Sequence, residues 1–447
     1  MAHALLPRGA KDKTLPRGLA ARCPVPHTRR DRRKPILRPI SSTPASPRRV
    51  TLLVALAAEL IFLFRLSVPT KPVFDEVHYL PAARALLALS GPVNIEHPLL
   101  AKELIALGIA LFGDGPFGWR VASTVAGSAT VAAVFALTHL LTGRVRAGLL
   151  AVALTLLGFT VYVQARIAML DTFMLAFLLW GVVLLAASMR DGSVARWSAG
   201  SVALGLATAC KWAAAPYVAA AGVTFLLMRR GRADRWPGLR PLPALALLGG
   251  LSVATYLLTF APAFFYAAEP LTLAGLPRFQ WDMYLRQTQR LPAHTYQSNW
   301  WTWPLLIRPI WYLYEPVDGA QRGIILLGNP AVMWGGLVAI AACYRGWVKT
   351  GAARLLAPAV MWTFAVGIFA IIPKSLGFYY YYYPASVLLC VAIAVALDQW
   401  RTTFGRWVEA YLLLVFALWL YFLPVLCAEP LAHARAFSRW TWFATWV

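Results

Sequence analysis

From about position 50 onward the chain alternates long apolar stretches with short polar or basic links. Each stretch approaches the roughly 20 residues that a helix needs to cross the hydrocarbon core of a bilayer. They fall at 51–68, 120–141, 147–165, 170–189, 198–211, 213–228, 242–264, 323–343, 355–372, 377–397 and 407–426. Eleven spans predict an all-α integral membrane protein, a multi-span helical bundle. The pair within 198–228 is short, and Leu104–Phe112, behind Lys102 and Glu103, is too short to cross, which predicts an interfacial helix.

Composition agrees with this pattern. Of 447 residues, 60% are hydrophobic and 13% charged, against about 25% charged in an average soluble domain. The formal charge of +24, from 42 Lys+Arg against 18 Asp+Glu, would suit nucleic acid in a polar chain. Here it is segregated from the apolar stretches, and no nucleic-acid partner is expected. Thirteen of the basic residues lie in 1–49, against only Asp12 and Asp31, with many prolines and no apolar period. That segment reads as a disordered basic cytoplasmic tail. The five cysteines are dispersed and predict neither a disulfide framework nor a zinc finger.

Charge also sets an orientation. With the tail inside, alternate links carry Arg144 and Arg146, Arg190 and Arg196, Arg229 to Arg240, Arg345 to Arg354, and Arg401 and Arg406. These are the basic loops expected on a cytoplasmic face. The spanning domain is then 50–426, with 427–447 outside. The long links 69–119 and 265–322 also fall outside, and they hold Asp75, Glu76, Glu96, Glu103, Asp114, Glu269, Asp282, Glu315 and Asp318. Chemistry is expected on that acidic face, at a cell inner membrane with the active site periplasmic.

The strongest candidates open the first of these links. Asp75 and Glu76 are adjacent carboxylates at the hydrocarbon boundary, where ionisable groups are costly and are functional candidates by default. Either could serve as a general base for a hydroxyl or amine nucleophile. Glu96, His97 and Lys102 follow, then Arg120 at the mouth of the next span.

This order of residues resembles the protein O-mannosyltransferase family, multi-spanning GT-C glycosyltransferases that use a polyprenyl-phosphate sugar donor. Further elements match it in sequence. Ala165-Arg166-Ile167-Ala168-Met169-Leu170-Asp171 resembles its Arg-Ile-x-x-Leu-Asp element, and Cys210-Lys211-Trp212 its Cys-Lys-Trp. His294-Thr295-Tyr296-Gln297-Ser298, Trp301-Thr302-Trp303-Pro304 and Arg308-Pro309 resemble its tryptophan-rich loop. Leu327-Gly328-Asn329-Pro330 and Phe378 to Ala385 complete the series over roughly 50–400. Three departures stand out: Thr295 replaces the usual Pro, the tyrosine run lacks a His, and the link after 265 is too short for the β-trefoil domain of fungal members. The last points to a bacterial type.

The resemblance implies inverting transfer of mannose or another hexose from a polyprenyl phosphate to Ser or Thr of a translocating or secreted protein. It makes Asp75 the catalytic base and Glu76 a partner that orients the acceptor or tunes Asp75. Arg120, Arg166, Lys211 and Arg308 become candidate holders of the donor phosphate, though a basic residue at a helix end also commonly snorkels to the interface. Glu96, His97, Lys102, Asp171, His294, Tyr296, Ser298 and Trp303 become candidate substrate contacts. Asp171 is equally suited to pairing with Arg166, and tryptophans and tyrosines also populate membrane interfaces. No obligatory cofactor or metal is implied. Glu96 and His97 leave a divalent cation open, but two ligands are too few for a closed site. Two other readings remain: a transferase of the same fold acting on a glycolipid, as aminoarabinose transferases do, and a secondary transporter, which would favour internal repeats that are not seen.

Overall fold

The computed structural model describes residues 46–447 apart from Ala233 and Pro373. The basic tail therefore lies outside the described residues up to position 45. Its last residues belong to the bundle, because Pro47 starts α1 (Pro47–Leu63), where a proline costs no intrahelical hydrogen bond. Then follow α2 (Glu76–Leu87), α3 (Leu100–Phe112), α4 (Pro116–Thr142), α5 (Val145–Leu156), α6 (Thr160–Gln164), α7 (Leu170–Asp191) and α8 (Val194–Cys210). The chain continues through α9 (Ala215–Arg229), α10 (Pro241–Leu258), α11 (Leu276–Thr288), strands β1 (Ile310–Val317) and β2 (Ala320–Leu326), and α12 (Pro330–Thr350). It closes with α13 (Ala353–Gly367), α14 (Tyr383–Gln399), α15 (Arg401–Phe404) and α16 (Trp407–Phe422).

Among the described residues, eight helices are long and apolar enough to cross a membrane, counted with adjoining 3-10 turns: α4, α7, α9, α10, α12, α13, α14 and α16. The other three expected spans are the shorter helices α1 and α8, of 17 residues each, and α5, of 12. Leucines at the periphery of α9, α10 and α16, such as Leu227, Leu242 and Leu413, remain exposed, as lipid-facing positions do. By contrast α14 is buried along almost its whole length and forms the axis of the bundle. Small residues allow close crossings. A Cβ on Gly200 of α8 would stand 3.1 Å from the Gly181 carbonyl of α7, the kind of approach that drives helix association in lipid. A charged group also joins two helices: Thr124 and Ser128 of α4 donate to the Glu59 carboxylate of α1 at 2.6 and 2.7 Å.

Three expectations need correction. The stretch 147–165 is interrupted: α5 ends, and Phe159, at φ +73°, redirects the chain into α6. Asn329 staples this break, its amide nitrogen donating to the carbonyls of Leu157 (3.0 Å) and Val415 (2.9 Å) while its backbone N–H donates to Gly158 O (3.0 Å). Secondly, the protein is not purely helical. The stretch 323–343 begins as β2, which pairs antiparallel with β1 through a turn at Asp318 and Gly319, both at positive φ, the preferred Asp-Gly hairpin chemistry. Helix α12 starts only at Pro330, with Asn329 as N-cap. Thirdly, the interfacial helix begins four residues earlier than expected, at Leu100.

The two long links converge on one end of the bundle. Ala267 and Ala268 donate to the carbonyls of Leu89 and Ser90, and Lys71 pairs with Glu315 at 2.6 Å. The C-terminal segment joins them: Trp446 donates to Leu306 O (2.6 Å), and Trp311 of β1 donates to Trp446 O (2.9 Å). The opposite end carries basic links, where Arg144 pairs with Asp398 at 3.0 Å.

Candidate active site

Asp75 and Glu76 stand at the first turn of α2, where successive side chains diverge by about 100°. Phe74, at φ +50°, turns the chain into that helix and stacks on Tyr312 at 4.6 Å. Glu76 points inward and is fully buried, as is Arg120. Their contact is bidentate: Arg120 Nε and Nη2 donate to the two carboxylate oxygens at 2.9 and 2.8 Å. The remaining guanidinium protons go to the carbonyls of Leu66, Pro69 and Lys71. The carboxylate also accepts from the backbone N–H groups of Val73 and Ala168, both at 2.8 Å. All five guanidinium donors and four carboxylate acceptor positions are thus engaged. Neither group has capacity left for a substrate, so the assignments of Glu76 to catalysis and Arg120 to the phosphate give way to a structural clamp joining α2, α4 and the segment before α7.

Asp75 points the other way and is half-buried. One oxygen accepts from the Tyr79 hydroxyl at 3.1 Å. Burial pushes its carboxyl above the ordinary range, opposed by the Lys211 charge and the Tyr79 hydrogen bond. Lys211 ends α8 and donates to both oxygens of Asp171, at 2.9 and 2.8 Å. Asp171 therefore pairs with Lys211 and not with Arg166. The Lys211 ammonium also lies 4.8 and 5.0 Å from the ring centroids of Tyr380 and Tyr381. The tyrosine run forms a 3-10 turn over Tyr379–Tyr382; it aims Tyr380 and Tyr381 at this cluster, while the Tyr382 hydroxyl accepts from Trp362.

His97 flanks the same centre. Its ring meets Tyr79 edge-on at 5.9 Å, and burial, then the Lys211 charge, holds its pKa well below the ordinary imidazole value. Sequence reasoning passed over Lys374, which lies on the link between α13 and α14 with its ammonium 5.9 Å from the Tyr381 centroid. The residue is exposed overall, but partial desolvation of its ammonium brings its pKa down to about 8, with the Lys211 charge acting in the same direction. A lone lysine between two apolar spans on the acidic face was the available signal. A small apolar recess adjoins the cluster, lined at its polar end by Asp171 and Tyr381 and elsewhere by Met174, Ala213, Tyr217 and Phe369.

The remaining candidates have other partners. Arg166 is buried and caps the end of α1 by donating to the carbonyls of Phe62, Phe64 and Arg65, with Tyr162 beneath its guanidinium. Lys102 is fully buried and donates to the carbonyls of Asn94 (2.7 Å) and His97 (2.8 Å), holding the turn that presents His97. Arg308 donates to Thr295 O, bracing the tryptophan-rich loop. These three side chains act on the backbone and do not converge on Asp75. Ser298 accepts from the indole of buried Trp303 at 2.9 Å, and Trp303 packs on Phe369 and Tyr381. His294 is exposed and Tyr296 half-buried on the tryptophan-rich loop, with His294 edge-on to Phe378 at 5.2 Å. Glu96 keeps one buried oxygen without a partner. Among the described residues no three His, Cys, Asp or Glu side chains group as metal ligands.

This arrangement, a half-buried carboxylate facing a cation beside an apolar recess, agrees with what comparison with known proteins shows. Residues 96–259 match the family profile "Dolichyl-phosphate-mannose-protein mannosyltransferase", and residues 272–446 match "C-terminal four TMM region of protein-O-mannosyltransferase". The chain belongs to the protein O-mannosyltransferase family. Curated relatives include the polyprenol-phosphate-mannose–protein mannosyltransferase of Mycolicibacterium smegmatis, 28% identical, with 88% of this chain and 92% of that protein covered. The Mycobacterium tuberculosis protein of the same name is 28% identical over 66% of this chain and 69% of its own length. Among solved structures, the S. cerevisiae Pmt1–Pmt2 protein O-mannosyltransferase complex bound to the sugar donor superposes with a TM-score of 0.76 at 14% identity, covering 90% of this chain and 92% of that one. ArnT of Cupriavidus metallidurans bound to undecaprenyl phosphate gives 0.55 at 18% identity, over 83% and 63%. Both likenesses establish the GT-C membrane fold, and this mannosyltransferase-family chain is accordingly a multi-span membrane glycosyltransferase.

Proposed function

We propose that the protein transfers mannose from a polyprenyl-phosphate-mannose donor to Ser or Thr hydroxyls of a translocating protein. The active site sits at the end of the bundle where the two long links and the C-terminal segment meet. The basic links at the opposite end support a cytoplasmic placement for that face, which puts the site on the outer side of the cell membrane. The observation that carries the reading is Asp75: a half-buried carboxylate with raised basicity, opposite Lys211 and beside an apolar recess.

In this reaction the Asp75 carboxylate takes the proton of the acceptor hydroxyl as its oxygen bonds to the anomeric carbon. The bond from that carbon to the phosphate oxygen breaks with inversion, and its electron pair leaves on the polyprenyl phosphate. Lys211, Lys374 and the His97 edge supply the positive and donor groups that stabilise the leaving charge. This replaces the earlier set of arginines, whose protons go to backbone carbonyls or to Glu76. The lipid tail lies against the apolar recess at Met174, Tyr217 and Phe369.

The experiment is transfer in membranes given labelled polyprenyl-phosphate-mannose and an acceptor protein. Label in protein, lost in Asp75→Asn, is the expected result. Label found only in lipid would transfer the reading to a glycolipid-modifying enzyme of the same fold.

A further inference from the structure

Gln287, on α11 of the second long link, joins three segments that meet over the site. Its amide nitrogen donates to the Glu96 carbonyl and contacts His97 Nδ1 at 2.8 Å. Its amide oxygen accepts from the Lys374 ammonium. An amide's two ends look alike in outline, but here the chemistry of the neighbours fixes the orientation. An ammonium can only donate, so the oxygen must face Lys374; a backbone carbonyl can only accept, so the nitrogen must face Glu96. The second amide proton then falls on His97 Nδ1, which has to be bare to receive it.

The protonation of the ring follows. His97 is half-buried among positive or potentially positive groups: Lys211 at the end of α8, Lys102 of α3, Lys374 on the α13–α14 link and His78 of α2. Tyr79 of α2 meets the ring edge-on, and Glu96 precedes it with a buried, unpartnered oxygen. A neutral imidazole has one proton, and with Nδ1 bare that proton sits on Nε2. Among the described residues Nε2 has no hydrogen-bond partner, and it is not among the sealed-off polar atoms.

We propose that Gln287 is a positioning residue that holds His97 as the Nε2–H tautomer, so that the ring offers a hydrogen-bond donor to the phosphate of the sugar donor beside Asp75. The inference rests on the donor assigned under Proposed function. Lys374 and His97 share this one side chain, so the latch also sets the spacing between a cation and a neutral donor on the same anion.

The test is Gln287→Glu. The new carboxylate accepts where the amide donated, which favours a proton on Nδ1 and raises the imidazole pKa toward its ordinary range near 6.5. Below that pH the imidazolium still carries Nε2–H, and transfer persists. Above it the ring keeps its proton on Nδ1, Nε2 is bare, and kcat/KM for the donor falls about tenfold, the scale of one lost hydrogen bond. The new alkaline limb should start near neutrality, clear of Lys374, which loses its charge only at about 8. It should vanish when His97→Gln is added, and it should be absent from Gln287→Ala, which loses the latch at every pH alike.

A Gln287→Glu profile with the wild-type shape would overturn the proposal. If that variant does not fold, ¹⁵N spectra of histidine-labelled wild type, assigned by the signal lost in His97→Gln, report the tautomer directly. A proton on Nδ1 would sink the proposal, and a proton on Nε2 supports it. Failure of the wild type to transfer mannose at all would instead count against the proposed function, while the spectrum would still test the placement of the proton.

Discussion

Asp75 and Glu76 are neighbours in the chain and opposites in the fold. Glu76 is closed around Arg120 with every acceptor position filled, whereas Asp75 receives one hydrogen bond from Tyr79 and keeps an oxygen for a substrate proton. A single residue step, about 100° around the helix, separates an acid closed in a clamp from one open to a substrate. Asp75→Asn should therefore abolish transfer, by at least about a hundredfold for the loss of a general base, while preserving the fold. The neutral isostere also removes the desolvation of a half-buried charge, so its thermal midpoint in detergent should equal or exceed that of the wild type. Activity retained within a few-fold would contradict the assignment.

The same residue sets the acidic limb of the pH profile. Burial raises the Asp75 carboxyl above its ordinary value, and only the ionised form can accept the hydroxyl proton. Transfer should fall as pH drops through that raised value, at a higher pH than an unperturbed aspartate would give. A profile of kcat/KM against pH checks this, and Tyr79→Phe should move the limb further upward, because it removes a hydrogen bond that favours the ionised form.

The Glu76–Arg120 clamp predicts a stability defect in place of a catalytic one. Removing one partner leaves a buried charge without its counterpart, a loss of about 3–5 kcal/mol in soluble proteins. Glu76→Ala and Arg120→Ala should each shorten the half-life of the detergent-solubilised protein at elevated temperature. Whatever folded fraction survives should keep a near-normal KM for the donor. A large KM increase in a stable Arg120 variant would instead return that residue to the phosphate.

Lys374 predicts an alkaline limb. Its pKa is lowered to about 8, so the charge it offers to a phosphate disappears as pH rises through that value, and donor KM should climb there. Lys374→Arg keeps its charge throughout and should flatten the limb, while Lys374→Ala should raise KM by about tenfold at neutral pH. An unaltered profile in the arginine variant would remove Lys374 from the donor site.

Much of this molecule was legible from its sequence because a bilayer imposes a simple code. Each of the eleven apolar stretches contains a helix, and the acidic face gathers both long links. The failures share a physical origin. The run Gly323 to Leu327 is apolar without a long helical period, and counting spans takes no account of the Asp318-Gly319 turn that precedes it. The pairing of Glu76 with Arg120 crosses 44 positions, and whether a guanidinium faces a carbonyl or a ligand is decided by tertiary contacts alone. Motif resemblance singled out Asp75, His97, Asp171 and Lys211, which the fold brings together in the candidate site. It could not separate groups that meet substrate from those, such as Arg166 and Lys102, that hold backbone in place. Gln287 and Lys374 belong to no matched motif, and their importance appears only when three links are folded together.

The apolar recess beside Asp171 makes a prediction that separates headgroup from tail. Its walls come from α7, the turn before α9, α9 itself and the 3-10 turn after α13, and Tyr217 of α9 meets Phe364 of α13 edge-on at 5.0 Å on this side of the bundle. Ala213 is the smallest side chain in the lining. Ala213→Trp would crowd this recess from the side of the turn before α9. A tail that lies against this recess should be displaced, raising KM for a full-length polyprenyl donor at least about tenfold and leaving a donor with a much shorter chain nearly unaffected, since the phosphate and sugar contacts remain. Equal losses with both donors would mean that the substitution disturbs the headgroup site, and no loss with either would place the tail elsewhere on the bundle.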